Sequence, residues 1–230
     1  MIKLSEYVNE HFVNGTNKTQ IKELLDKYYP QIKEVIDDGY RDIGGAIGFG
    51  DKESILNESD FCKLYRDKDG NILAVSFYAD KRHPNRHQLW LKDDRKQNRG
   101  RKICCCAARK GYSEYLKKIL VEDFKITNRN VWGEFSSKAA TFAMKCGALP
   151  IPVDAAQSIL SDKIFSDKKD DGYFYTREIG DEKQKHTKIL MGNHLFYSHN
   201  IDEKLTEEEI QKFKELAKKY EVEDKELNHI

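Results

Sequence analysis

Two strand-to-helix passages in immediate succession constrain this chain more than any other feature. The first is an apolar strand, Ile103-Cys104-Cys105-Cys106-Ala107, a short Arg109-Lys110-Gly111 turn, and a helix opening near Ser113. The second is Val131-Trp132-Gly133-Glu134-Phe135-Ser136 followed by a helix that stops at Gly147. β-Branched, aromatic and small apolar residues suit the strands, and the stops carry glycine and proline, with Pro150 and Pro152 preventing the second helix from resuming. A small-residue strand that runs into a basic, glycine-containing turn and a helix N-terminus brings backbone N–H groups together where phosphate can bind. A phosphorylated ligand is therefore the first expectation.

The rest of the chain completes a mixed α/β pattern. Ile21, Leu24, Leu25, Tyr28 and Tyr29 fall at helical spacing, Pro30 interrupts them, and Ile32, Val35 and Ile36 resume, predicting two N-terminal helices. Asp42 to Gly50 is a glycine-rich apolar loop without the lysine-serine pair of a Walker-type site. Phe61–Arg66 and Ile72–Ala79 alternate around Asp67-Lys68-Asp69-Gly70-Asn71, a β-hairpin signature, and His87–Leu91 is a further strand. Beyond the prolines come a short helix (Ala155–Leu160), a charged turn, and strands at Gly172–Ile179 and His186–Met191. Thr206 and Glu209 form a capping box ahead of an amphipathic helix with Leu205, Ile210, Phe213, Leu216, Ala217 and Tyr220 on one stripe. The expected domains are residues 1–200, including the N-terminal helices, and a C-terminal helix and tail, 201–230.

Charge and cysteine content narrow the function. The net charge of +1 provides no global field for nucleic acid or anionic membrane. A local basic run from Lys81 to Lys110 does exist, but only Trp90 interleaves it with an aromatic ring, which argues against a nucleic-acid surface. Five cysteines, three of them consecutive, do not make a disulfide framework or a zinc spacing, and they read as reduced thiols used as small apolar side chains. His83, His87 and His186 show no metal spacing. The N-terminus lacks a signal-peptide core and no run reaches membrane-spanning length, so a cytoplasmic location without a membrane partner is expected.

Several segments carry a resemblance to a known family. They are Tyr40-Arg41-Asp42-Ile43-Gly44-Gly45, Asn71-Ile72-Leu73-Ala74-Val75, Leu116-Lys117-Lys118-Ile119-Leu120, Trp132-Gly133-Glu134, Lys145-Cys146-Gly147-Ala148, Asp171-Gly172-Tyr173-Phe174-Tyr175 with Arg177, and His186-Thr187-Lys188-Ile189 with Gly192-Asn193. Through them the chain resembles the GNAT acyltransferase superfamily, and within it GNAT-like proteins encoded by bacteriophages. The resemblance implies a mixed, mostly antiparallel sheet flanked by helices, with the N-terminal helices and the C-terminal amphipathic helix as additions. It implies acetyl-CoA as acyl donor and an amine of a small molecule or protein as acceptor, in a bacterial host. The alternative it leaves open is a catalytically degenerate GNAT fold serving as a virion or assembly component, with phage structural proteins or a second copy docking on the C-terminal helix.

By the same resemblance, Cys105, Cys106, Ala107, Arg109, Lys110, Gly111, Tyr112 and Ser113 bind the cofactor, the strand pairing with the pantetheine arm and the turn with the pyrophosphate. A competing frame, Gln97-Asn98-Arg99-Gly100-Arg101-Lys102, fits the family's phosphate signature better and makes Ile103 onward a helix. Many GNAT enzymes place an acidic tyrosine four residues before the glycine closing the second helix; here that residue is Ala143. Amine acetylation needs a proton acceptor and an oxyanion site. Glu134 is the first candidate base and Asp80 the second, Tyr175 a pocket or acid residue, and the amides near Cys105 and Cys106 the oxyanion donors.

Overall fold

A computed structural model of the chain describes residues 12–40, 51–80, 100–126, 128–159, 167–179, 184–201 and 203–227. The fold is mixed α/β, with a mostly antiparallel sheet flanked by helices, as expected. The chain divides into two compact units, one built from residues 12–80 and 102–120 and the other from 100–101 and 121–227.

The first unit contains β1 (Phe12–Gly15), α1 (Lys18–Tyr40), α2 (Lys52–Glu58), β2 (Phe61–Arg66), β3 (Ile72–Asp80), β4 (Arg101–Ala108) and the opening of α3 (Ser113–Phe124). The strands lie in the order β1-β2-β3-β4, and β1/β2 and β2/β3 are antiparallel, with Leu64 opposite both Val13 and Val75. The hairpin closes where expected: Gly70 takes φ 88, and the Asp67 carboxylate accepts from the N–H groups of Asp69 and Asn71. Those bonds, led by the Asn71 side chain, hold Asp67 below the usual carboxylate range.

One expectation needs correction in this unit, and the choice between the two phosphate frames falls to the first, with a strand at Ile103 and a helix from Ser113. The N-terminal segment is one helix, not two broken at Pro30, and a short strand, β1, precedes it. A proline inside a helix costs about 3 kcal/mol. The stripe Ile21, Leu25, Tyr28, Ile32, Val35, Ile36 nevertheless stays in phase across Pro30 and packs on Leu64, Ile72, Val75, Phe77, Cys105 and Ala107. Burial of six side chains, each stabilising by about 1.5–3 kcal/mol, exceeds that local cost. The loop Asp42–Gly50, the strand expected at His87–Leu91, most of the basic run and the Asp80 side chain lie outside the described residues.

The second unit contains β5 (Val131–Ser136), α4 (Ser137–Lys145), β6 (Leu149–Ile151), α5 (Val153–Ile159), β7 (Asp167–Lys168), β8 (Phe174–Ile179), β9 (Gln184–Gly192), α6 (His194–Asn200) and α7 (Glu207–Leu227). Its strands run β5-β9-β8-β7, with β6 also paired to β9, and every one of these pairings is antiparallel. Helix α4 ends in a Schellman motif. Gly147, at φ 95, donates its N–H to Met144 O, and Ala148 donates to Ala143 O.

Helix α7 turns its stripe inward. Phe213, Ala217 and Tyr220 are buried, Phe213 stacks on Phe174 at 5.2 Å, and the Tyr220 hydroxyl donates to Asp171. Asp224 accepts from the Thr187 N–H and hydroxyl and from the Ser137 hydroxyl, tying the helix to β9 and α4. The capping box forms as expected, Thr206 and Glu209 each accepting from the other's backbone N–H. Phe213, Ala217 and Tyr220 thus dock the helix on its own unit, while Val222 stays exposed.

Candidate functional site

The turn after β4 meets the geometric requirements read from its sequence. The Arg109 N–H donates to Leu73 O, fixing the end of the strand, and the Tyr112 N–H donates to Arg109 O, closing a four-residue turn. Gly111 sits at φ 88 in the left-handed region, and a Cβ there would meet nothing within 4 Å. Lys110, Gly111, Tyr112 and Ser113 are all exposed where α3 begins, so the first N–H groups of a twelve-residue helix face solvent with a lysine beside them. The Arg109 guanidinium is partly committed: its Nη2 pairs with Glu34, while its Nε is buried without a hydrogen-bond partner.

Beside this turn runs a line of rings. Tyr112 stacks on Tyr115 at 6.0 Å, Tyr115 on Tyr65 at 4.2 Å, and Tyr65 meets Phe12 edge-on at 5.1 Å. The Lys118 ammonium lies over both Tyr65 and Tyr115. Tyr112 is 42% exposed and ends the line at the turn.

The strand residues divide by face. Cys105 and Ala107 are buried in the first unit's core, and Cys104 and Cys106 are half-buried. Burial pushes the Cys62 and Cys105 thiols up to about 12, which suits small apolar side chains rather than nucleophiles. The Cys106 N–H, expected as an oxyanion donor, is given to the hydroxyl of Tyr40 at 3.3 Å.

In the second unit the structure brings Glu134 and Tyr175 together. The Tyr175 hydroxyl donates to Glu134 Oε2 at 2.6 Å, and Arg177 Nη1 donates to both carboxylate oxygens at 2.7 and 2.9 Å. Lys188 lies directly opposite Tyr175 and Ser136, and His186 opposite Arg177, so alternation along β5, β8 and β9 places all five ionisable groups on one face. Tyr175 is fully buried, and its phenol is held well above the ordinary tyrosine range, first by burial and then by the Glu134 charge. The Lys188 ammonium is lowered, chiefly by burial, with Glu134 opposing that effect and Arg177 reinforcing it.

Glu134 and Tyr175 were legible as candidates; Arg177 and Lys188 were not singled out. The signal was present, since Arg177 stands two residues from Tyr175 and must share its face, but it identifies a partner only once the neighbouring strand is known. His186 is 4% exposed, and its imidazole is lowered by burial first and Lys188 second. The unfolded chain therefore takes up this proton at a higher pH than the folded one. Stability is expected to fall as pH drops through 6.5 and below. Denaturant titrations between pH 5 and 7.5 will show that slope, and His186→Gln will flatten it.

Among the described residues no group of three or more His, Cys, Asp or Glu side chains is placed to hold a metal ion, and no helix is long and apolar enough to cross a membrane.

No family model matches the chain, and no curated protein matches it either. Among solved structures it is similar to a Corynebacterium glutamicum protein described as histone acetyltransferase HPA2 and related acetyltransferase, at 13% identity. That match covers 80% of this chain and 94% of the other, with a TM-score of 0.38. It is also similar to a point mutant of the spermidine N-acetyltransferase SpeG from Vibrio cholerae, at 10% identity, covering 85% and 100% of the two chains with a TM-score of 0.39. Likeness at this level carries no argument about function.

Proposed function

We propose that this protein is a CoA-dependent N-acyltransferase of the GNAT type that transfers an acetyl group from acetyl-CoA to a primary amine. The observation that carries the reading is the Arg109–Ser113 turn. An exposed helix N-terminus, a left-handed glycine with open space around it and the adjacent Lys110 suit a diphosphate. Tyr112 offers a ring face for the adenine, and Cys105, Cys106 and Ala107 provide the strand that the pantetheine arm follows. Acetyl-CoA contributes the activated acyl thioester; the protein contributes binding, orientation and proton handling.

For the proton, Glu134 is the proposed acceptor. Its side chain is 13% exposed and is oriented by the Tyr175 hydroxyl and the Arg177 guanidinium, which fix its direction. Asp80 stays the second candidate. The resemblance to phage-encoded relatives suggests an infected bacterium as the setting.

Calorimetric titration with acetyl-CoA tests the reading. Micromolar binding is expected in the unaltered protein. Gly111→Glu places a carboxylate where the diphosphate would bind and forces a non-glycine residue to positive φ, at about 1–2 kcal/mol of strain. It is expected to weaken binding at least 30-fold, roughly 2 kcal/mol at RT ≈ 0.59 kcal/mol. Gly111→Asn tolerates the same conformation without the charge and is expected to retain most of the affinity. Absence of binding by the unaltered protein at millimolar acetyl-CoA would remove the proposal.

A further inference from the structure

The hydroxyl of Tyr40, the last residue of α1, meets the backbone of β4. Helix α1 lies so close to β4 that a Cβ at Gly39 would fall 2.7 Å from the Ala107 Cβ and 3.3 Å from its Cα, so only glycine permits the approach. That proximity brings the Tyr40 hydroxyl to the Cys106 N–H, which donates to it at 3.3 Å. Strand N–H groups usually donate to a neighbouring strand carbonyl. The Cys106 N–H also meets a side-chain hydroxyl that is itself able to donate.

We infer that Tyr40 is a catalytic residue, its hydroxyl joining the Cys106 N–H as a pair of donors for the carbonyl oxygen of an acyl thioester bound on β4. The inference rests on the acyltransferase reading and adds a residue from outside the strand and turn assigned to the donor. A hydroxyl has one proton and two lone pairs, so rotation about its C–O bond converts the present acceptor into a donor toward an oxygen that takes over the Cys106 N–H. Burial, first, and the two neighbouring thiols hold the phenol well above the ordinary tyrosine range, so it stays protonated at neutral pH. In the transfer, the amine nitrogen bonds to the acyl carbon, the carbon–sulfur bond breaks, and the proton lost by the amine ends on the thiolate. Tyr40 keeps its own proton and stabilises the charge that develops on the oxygen. Ala143, at the position where the resemblance would place a tyrosine, offers only a buried methyl group.

The test requires no acceptor. Acetyl-CoA labelled with carbon-13 at the thioester carbonyl is bound to the unaltered protein and to Tyr40→Phe, and the carbonyl stretch is read by infrared difference spectroscopy. The expected result is a stretch shifted to lower wavenumber in the unaltered protein, with most of the shift lost in Tyr40→Phe while the dissociation constant changes by less than about threefold. Once an acceptor is known, kcat should fall about 100-fold in that variant with KM little changed. Incorporation of 3-fluorotyrosine at position 40, a stronger donor of nearly the same shape, should deepen the shift, and it provides the comparison if the phenylalanine variant does not fold. Equal shifts in all three proteins would overturn the role of Tyr40 while leaving acyl-CoA binding intact. Failure of the unaltered protein to bind would overturn the acyltransferase reading and this inference with it.

Discussion

Asn193→Ala is expected to destabilise the second unit by about 3–5 kcal/mol. Asn193 is fully buried, and its amide uses all its main bonding capacity. The oxygen accepts from the Val131 N–H at 3.1 Å and the Phe196 N–H at 2.8 Å, and the nitrogen donates to Ile126 O and Arg129 O at 2.8 and 3.0 Å. One side chain thereby caps α6, starts β5 and satisfies the segment leading into that strand. Alanine would strand two buried N–H groups and leave two carbonyls without their donor. Asn193→Asp keeps the acceptor and loses the donor, while setting a charge against two carbonyl oxygens, so it should be nearly as damaging. Urea denaturation followed by tryptophan fluorescence, with Trp132 buried in this unit, will measure both. A loss under about 1 kcal/mol for the alanine variant would contradict the account.

Glu134→Ala should cost about 2–3 kcal/mol, because it removes the carboxylate to which the buried Tyr175 hydroxyl donates and with which Arg177 pairs, and takes one of two acidic neighbours from Lys188. The lower part of the range for breaking a buried pair applies, since the Arg177 side chain is 42% exposed and water screens it. Glu134→Gln preserves an acceptor for Tyr175 and should cost about half as much. The deficit carries a pH signature. The Lys188 ammonium is lowered in the folded protein, so between its folded value and 10.5 the unfolded chain binds more protons and stability rises with pH. Removing Glu134 lowers the folded value further. The variant's deficit should therefore be greatest near neutral pH and shrink toward pH 10, which a series of denaturation curves will reveal. If Glu134 accepts the amine proton, Glu134→Gln will also lower turnover with acetyl-CoA affinity nearly unchanged; unaltered turnover would leave the residue a purely structural anchor.

Local patterns made much of the fold readable in advance. The hairpin Phe61–Arg66 and Ile72–Asp80, the strand Val131–Ser136, the helices Ser113–Phe124 and Ser137–Lys145 and the Thr206 cap each depend on residues within a few positions of one another. Their turns and caps close within a single segment, so neighbouring residues suffice to specify them. Strand β1 and helices α2 and α6 are short, and their apolar residues are too few to set a period. They form because an existing surface receives them.

Glu134 and Tyr175 could be named as candidates from the resemblance and the chemistry of amine acetylation, and the glycine turn at Gly111 from its residue types. Their partners could not. Tyr175 reaches Glu134 across 41 positions of sequence, and Tyr40 reaches the Cys106 amide across 66. Such pairs are set by strand register and by the closeness of a helix to a strand, quantities that no local segment encodes. Pro30 illustrates the same division. Its intrinsic preference to end a helix is a local property of the sequence, whereas the apolar stripe that carries α1 through it acts only when a sheet is present to bury it. Residue types and local spacing specify the hairpin, the longer strands, the turns and the kinds of side chain available for chemistry; burial and strand register, which act between segments rather than within them, select which of those side chains meet.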